Sequence, residues 1–334
     1  MQPSDLGEFE LIRRFFSRAG PPGAQPGVIL GIGDDAALLE LPKGTDLAAA
    51  VDTLVAGRHF PEATAARSIG HRALAVNLSD LAAMGATPSW ATLALTLPSA
   101  DPKWLEGFAA GLFALADAHG VALVGGDTTR GPLTVSVQLL GHVPHGTALR
   151  RSGARAGDLL AVSGTLGDAG AGLKFCSAPR AAATPEVEEL IRRFDYPCPR
   201  VALGLAARGV ATAAMDLSDG LLGDLPKLAQ ASAVHAHVSV ERLPLSAALR
   251  AAANPQQARD WALAAGDDYE LLFAVPPARY GELQAAAHRL NLTLTVIGEL
   301  RSGEGVSWSL NGEQFAPSGH GYDHFAQAST QITV

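Results

Sequence analysis

Residues 28–42 read Val28-Ile29-Leu30-Gly31-Ile32-Gly33-Asp34-Asp35-Ala36-Ala37-Leu38-Leu39-Glu40-Leu41-Pro42, and this stretch decides which kind of α/β fold is open to the chain. An apolar, strand-like run feeds Gly31-x-Gly33-x-x-Ala36, which formally matches the dinucleotide-binding fingerprint. That fingerprint needs a helix whose N-terminus meets a pyrophosphate. Pro42 leaves too few residues for such a helix, and Asp34 and Asp35 would repel the ligand. The glycines are therefore read as turn formers that aim Asp34 and Asp35 at a cation. Taken alone, the motif is better explained as a surface turn.

Working outward, helical and strand patterns alternate along the whole chain, with Gly and Pro at the joints, which predicts an α/β or α+β fold. The N-terminal half reads as a helix over 5–18, strands over 28–32, 36–41 and 47–53, a helix over 63–84, a strand over 90–97, a helix over 103–119, and strands over 121–124 and 133–142. The Gly-, Pro- and Arg-rich segment 144–157 is the linker candidate. It divides the 334 residues into domains 1–146 and 147–334. The second half continues with strands over 158–162, 211–215, 234–240, 269–275 and 293–298. Helices are expected after Asp168, over 185–193 and 199–208, up to Ala231, and over 255–264 and 277–290. Asn311-Gly312 reads as a terminal hairpin turn.

Composition narrows the function. Hydrophobic residues at 48% and charged residues at 17% exclude a disordered chain. The formal charge of -8 argues against a broad nucleic-acid or anionic-membrane surface. Cys176 and Cys198 form no CxxC pair, the first ten residues lack a basic and apolar leader, and no run of about 18 apolar residues occurs. A cytoplasmic protein is expected.

Several acids sit in apolar or glycine-rich settings: Asp34, Asp35, Asp52, Asp80, Asp127, Asp216, Asp219, Asp267 and Asp268. A buried carboxylate needs a donor, a cation or a metal, and the chain has only four lysines. Asp80 lies on a helix that is apolar nearly all round, between Val76 and Met84, so water is not expected to solvate it fully. Hydrogen bonds from Asn77 or a nearby loop account for it as well as a metal does. In Asp216-Leu217-Ser218-Asp219-Gly220, Ser218 suits a helix N-cap and Asp219 the first turn. The alternative is that Asp216 and Asp219 share a divalent ion. Gly125-Gly126-Asp127-Thr128-Thr129-Arg130-Gly131 repeats that arrangement, whereas Asp168 reads as a cap only. Hard oxygen donors without clustered Cys or His suit Mg²⁺ and an anionic nucleotide. No Gly-Lys dipeptide, HExxH or GxSxG occurs, which excludes a Walker A loop, a zincin and a nucleophile elbow. His59 is a candidate base or substrate contact.

These motifs, together with Asp52-Thr53-Leu54-Val55-Ala56-Gly57-Arg58-His59-Phe60, Asn77-Leu78-Ser79-Asp80-Leu81-Ala82-Ala83-Met84-Gly85, Gly266-Asp267-Asp268-Tyr269-Glu270-Leu271 and Gly321-Tyr322-Asp323-His324-Phe325, run over essentially the whole chain. Jointly they resemble the thiamine-monophosphate kinases, members of the superfamily of aminoimidazole ribonucleotide synthetase, selenophosphate synthetase and a hydrogenase maturation protein. The resemblance implies a two-domain aminoimidazole ribonucleotide synthetase-like α/β (α+β) fold. Its N-terminal sheet would pair with its twin in a homodimer, and its C-terminal domain would close over the nucleotide. It further implies ATP- and Mg²⁺-dependent phosphorylation of thiamine monophosphate to thiamine diphosphate by direct in-line transfer, without a catalytic side chain. By position, Asp35, Asp52, Asp80, Asp127, Asp216 and Asp219 correspond to the metal ligands, with Val51 offering a backbone carbonyl. Gly126, Asp127, Arg151 and Ser218 correspond to ATP contacts, and His59, Asp267 and Tyr322 to substrate contacts. Three departures stand out. Ala50 and Val51 replace hydroxyl residues, Asp267 replaces a glutamate, and Gly319-His320 lacks an expected aromatic. The alternatives are another ATP-dependent member of the superfamily or a metal-dependent phosphohydrolase.

Overall fold

The computed structural model describes residues 7–18, 25–176 and 183–322, and it falls into two compact units. One unit takes in the chain up to Leu81 and from Ala86 to Gly146. The other takes in Ala82–Gly85 and the chain from Thr147 onward.

The N-terminal unit begins with a short helix α1 (Glu8–Leu11) that widens at once into a π-helical turn, Ile12–Phe16. The single helix expected over 5–18 is thus shorter and changes its hydrogen-bond step, and its first residues lie outside the described chain. Strands β1 (Val28–Leu30) and β2 (Leu38–Leu39) pair as a small antiparallel ribbon around the Gly31–Asp35 turn. No helix follows that turn, so the dinucleotide reading fails for the reason Pro42 gave. Then come β3 (Thr45–Val55), α2 (Ala66–Ala83), β4 (Thr87–Leu97), α3 (Pro102–His119), β5 (Ala122–Arg130) and β6 (Thr134–Pro144). The four long strands form one sheet in the order β3-β6-β4-β5, antiparallel except for β4 and β5.

Helix α2 buries Ile69, Ala73, Leu74, Val76, Leu78 and Leu81, residues that go round the whole helix, as the nearly all-round apolar pattern from Ala73 onward predicts. Helix α3 buries a single stripe, Leu105, Phe108, Leu112, Leu115 and Ala116. Asp101 caps its start by accepting from Lys103 N–H at 3.0 Å, and Gly120 ends it in the left-handed conformation. Residues along β3 alternate in exposure: Leu54 is buried, whereas Leu47 and Val51 stand 51% and 64% exposed on the opposite face.

The C-terminal unit runs β7 (Leu159–Ser163), α4 (Asp168–Cys176), α5 (Pro185–Asp195), α6 (Val201–Ala207), β8 (Ala213–Leu217), α7 (Leu221–Ser232), β9 (His235–Ser239) and a 3₁₀ turn, Val240–Arg242. It continues with α8 (Ala247–Ala252), α9 (Pro255–Ala264), β10 (Glu270–Val275), α10 (Pro277–Arg289), β11 (Leu294–Arg301), β12 (Gly305–Leu310) and β13 (Glu313–Phe315). Seven strands make a mixed sheet in the order β13-β12-β9-β11-β7-β10-β8, in which only β12 and β9 pair in parallel. Leu160, Val162, Leu217, Leu228, Val238, Leu272 and Ile297 share its core. The Asn311-Gly312 turn joins β12 to β13, as read from the sequence. The fold is therefore mixed α and β in two domains.

Candidate active site

In the C-terminal unit, β8 carries Asp216 and ends at Leu217, and the chain then turns through Ser218-Asp219-Gly220 into α7. Ser218 does not cap α7: Gly220 occupies the N-cap position without a side-chain cap, and the carboxylate of Asp224, one turn into the helix, instead braces the turn that precedes it. Its Oδ2 accepts the N–H groups of Ser218 at 3.0 Å and Asp219 at 2.8 Å. Lys227 then ties the turn together, its Nζ lying 2.7 Å from Asp219 Oδ2 and 2.9 Å from Asp224 Oδ1. Burial pushes Asp224 above the ordinary aspartate range, against the pull of Lys227. Burial also works against the Lys227 ammonium, but its bonds to the two acids prevail and its pKa is raised.

Two other predicted pieces are bonded to the same turn. Asp267 N–H donates to Ser218 O at 2.9 Å, Tyr269 N–H to Leu217 O at 2.9 Å, and Tyr322 N–H to Asp219 O at 3.1 Å. Asp216, Ser218, Asp219, Asp267 and the backbone of Tyr322 thus share one neighbourhood. Gly266 allows this close approach, because a Cβ there would run into the Ser218 carbonyl. Asp323, His324 and Phe325 lie outside the described residues. Arg151 is exposed, and its carbonyl accepts from Ser232 Oγ at 2.7 Å.

Asp267 and Tyr269 both take positive φ, at 67° and 50°, which non-glycine residues adopt only when held there. The holding groups flank them. Asp268, buried between the two, accepts Gly167 N–H at 2.7 Å and Ala169 N–H at 3.3 Å. Glu270, wholly buried, accepts Ser163 Oγ at 2.6 Å, Arg193 at 3.0 Å and Arg200 Nε at 2.7 Å. Burial drives the Asp268 carboxyl well above the aspartate range despite its two backbone donors. Asp168, expected to be only a cap, is buried and accepts Thr165 Oγ and Ser246 Oγ, both at 2.6 Å.

In the N-terminal unit the predicted acids are dispersed. Asp34 and Asp35 are exposed on the turn after β1, and Asp34 Oδ1 accepts Asp35 N–H at 2.8 Å. Asp80 is half-buried near the end of α2. Met84, expected to shield it, is itself 38% exposed beyond the helix end. Asp127 lies inside β5, which runs through the Gly125-Gly126 pair instead of ending before it. Gly126 has φ 152°, and a Cβ there would collide with Leu93 O, so only glycine lets β5 come this close to β4.

Register places Asp52, Val137, Leu93 and Gly126 in one row across the sheet, and Thr53, Ser136, Ala94 and Asp127 in the next. Adjacent rows face opposite sides, so Asp52 and Asp127 point apart, three strand spacings or about 14 Å from each other. Val51 shares the open face with Thr53. His59 lies in the loop after β3, where its Nδ1 accepts Val55 N–H at 3.0 Å, leaving Nε2 as the nitrogen that carries the ring proton.

Among the described residues, no three His, Cys, Asp or Glu side chains are grouped to hold a metal ion. The donor set nonetheless fits a hard cation. It is carboxylate throughout, and Asp219 already carries a cation, the Lys227 ammonium, on one of its oxygens. Asp224, Lys227, Arg193 and Arg200 escaped the sequence reading. The i, i+3 spacing of Asp224 and Lys227 was their one local signal.

Two family models match the chain: AIR synthase related protein, N-terminal domain, over residues 33–143, and AIR synthase related protein, C-terminal domain, over residues 155–310. Fold and site thus define an AIR synthase-related two-domain protein. The thiamine-monophosphate kinase of Escherichia coli K12 is 46% identical over 322 residues, covering 96% of this chain and 98% of the relative. The solved thiamine-monophosphate kinase of Stenotrophomonas maltophilia K279a is 50% identical with a TM-score of 0.81, over 86% of this chain and 92% of that one. A structure described as AaThiL complexed with AMPPCP and TMP is 34% identical with a TM-score of 0.77, over 88% and 92%. Within the AIR synthase-related class, the chain belongs to the thiamine-monophosphate kinase family.

Proposed function

We propose that the chain transfers the γ-phosphoryl group of ATP to thiamine monophosphate, giving thiamine diphosphate and ADP. The observation that carries this reading is the DLSDG turn, to which the Asp267 loop and Tyr322 are directly bonded, in a chain of this family. The acceptor is a phosphate monoester, whose second pKa near ~6 leaves its oxygen ionised at neutral pH, so the protein needs no strong base. This suits a site built of carboxylates with no activated nucleophile.

Asp35, Asp52, Asp80, Asp127, Asp216 and Asp219, with the Val51 carbonyl, are the groups that would hold Mg²⁺. When bound, Mg²⁺ neutralises the two anionic substrates and aligns acceptor oxygen with γ-phosphorus. Ser218 and the Gly126-Asp127 stretch meet the nucleotide, and the exposed Arg151 guanidinium offers a fork for its phosphates. His59, Asp267 and Tyr322 orient thiamine monophosphate.

The chain is taken to act as a homodimer through the N-terminal sheet. Two features support that reading: the exposed Leu47 and Val51 on the sheet face, and the opposite directions of Asp52 and Asp127 within one chain. The reaction is assigned to the cytoplasm, in keeping with Cys176 and Cys198 not being joined in a disulfide. No helix of the described residues is long and apolar enough to cross a membrane. The test is an ATP and Mg²⁺ assay with chromatographic separation of products, using thiamine monophosphate, free thiamine and an aminoimidazole precursor as acceptors. Product from the monophosphate alone is expected, and turnover of another acceptor in its place would overturn the assignment.

A further inference from the structure

Lys227 bridges two carboxylates that are held in different ways. Asp224 is 1% exposed and fixed by the N–H groups of Ser218 and Asp219, so it keeps its place whether or not the ammonium is present. Asp219 and Lys227 face solvent, with side chains 32% and 42% exposed, and their contact is the outward side of the triangle. A divalent ion that takes Asp219 as a ligand approaches to about 2.1 Å and draws on the same carboxylate charge that the ammonium already neutralises. The two cations then repel each other across a single negative charge, which weakens the hold of each on Asp219. The flexible four-carbon stem of lysine lets the ammonium withdraw while Asp224 keeps the turn in shape.

We infer that Lys227 is the internal counter-ion of the site: it holds Asp219 in place until a metal arrives, competes with that metal, and thereby sets the metal concentration at which the site fills. This rests on the reading of Asp219 as a metal ligand. Removing the ammonium takes away a competitor and also a neighbouring positive charge, and both changes favour cation binding.

The experiment titrates Mn²⁺ into the nucleotide-free full chain and reads free Mn²⁺ by electron paramagnetic resonance, with Mg²⁺ as displacer. Circular dichroism checks that each variant is folded. Lys227→Met is expected to bind Mn²⁺ about tenfold more tightly than the native chain, an advantage that shrinks with added salt. Lys227→Arg, which keeps the charge, is expected to bind as the native chain does, and Asp219→Asn more weakly. If Asp219→Asn weakens binding while Lys227→Met leaves it unchanged or weaker, the counter-ion role is wrong and the ligand reading stands. If Asp219→Asn binds as the native chain does, the ligand reading itself falls, and the inference with it.

Discussion

The two units hold their acids in contrasting ways. In the N-terminal unit, Asp34, Asp35 and Asp127 stand exposed on a turn and on an open strand face. In the C-terminal unit, Asp168, Asp216, Asp224, Asp268 and Glu270 are each 5% exposed or less, and Asp168, Asp224, Asp268 and Glu270 anchor networks of backbone, hydroxyl or cationic donors. Carboxylates thus face solvent at these positions of one unit and serve as structural hubs in the other. Solvation decides between the roles. An exposed carboxylate keeps its charge at little cost and can exchange water for a ligand, whereas a buried one persists only when donors surround it.

The strongest way to break this contrast is at Glu270. Glu270→Ala leaves the largely buried Arg200 guanidinium without its acceptor and Arg193 with only the longer pair to Asp168, a loss on the order of 3–5 kcal/mol for a broken buried pair. Urea unfolding should show it, and a native-like midpoint would remove Glu270 from the class of hubs. On the other side, Asp35→Asn and Asp127→Asn should lower turnover by about a hundredfold or more while leaving the unfolding midpoint nearly unmoved. Parallel losses of activity and stability would erase the distinction between the units. Gly126→Ala should cost about 1–3 kcal/mol, through the collision with Leu93 O and the disfavoured φ, and should lower nucleotide affinity along with stability. Calorimetry with an ATP analogue checks both effects together.

The smallest effect is a pH dependence. Because burial raises the folded-state pKa of Asp268, the folded state binds the proton more tightly than the unfolded chain does. Its contribution to stability is full below the ordinary aspartate value of 3.8 and is lost as pH rises through the raised value. Thermal unfolding of Asp268→Asn should therefore lose less stability than the native chain across that window. Identical slopes for the two proteins would show that Asp268 does not titrate in this way.

Much of the fold could be read from local pattern. The largely apolar α2 and the capped, striped α3 announce themselves within one window, and Pro42 rules out a dinucleotide helix. Other features depend on partners distant in sequence. Glycines discourage a strand, so local pattern ends β5 before Gly125, yet its parallel pairing with β4 carries it on to Arg130. Helix α8, at six residues, is too short to show a period. In the site, Asp216, Ser218, Asp219 and Asp267 were visible as motifs, and their meeting rests on backbone bonds between segments some fifty residues apart. Arg193 and Arg200 lie some seventy residues before Glu270, and no local signal links them to it. Ser218 does not cap α7 as expected, because its own N–H and that of Asp219 are drawn to the Asp224 carboxylate and Gly220 takes the N-cap position.

The most direct test of the account is a ³¹P magnetic resonance time course of the full chain with ATP, Mg²⁺ and thiamine monophosphate. The account predicts that the resonances of ADP and of the thiamine diphosphate β-phosphorus grow in equal proportion, without inorganic phosphate. Growth of ADP and inorganic phosphate, with thiamine monophosphate unconsumed, would contradict it and make the chain a phosphohydrolase.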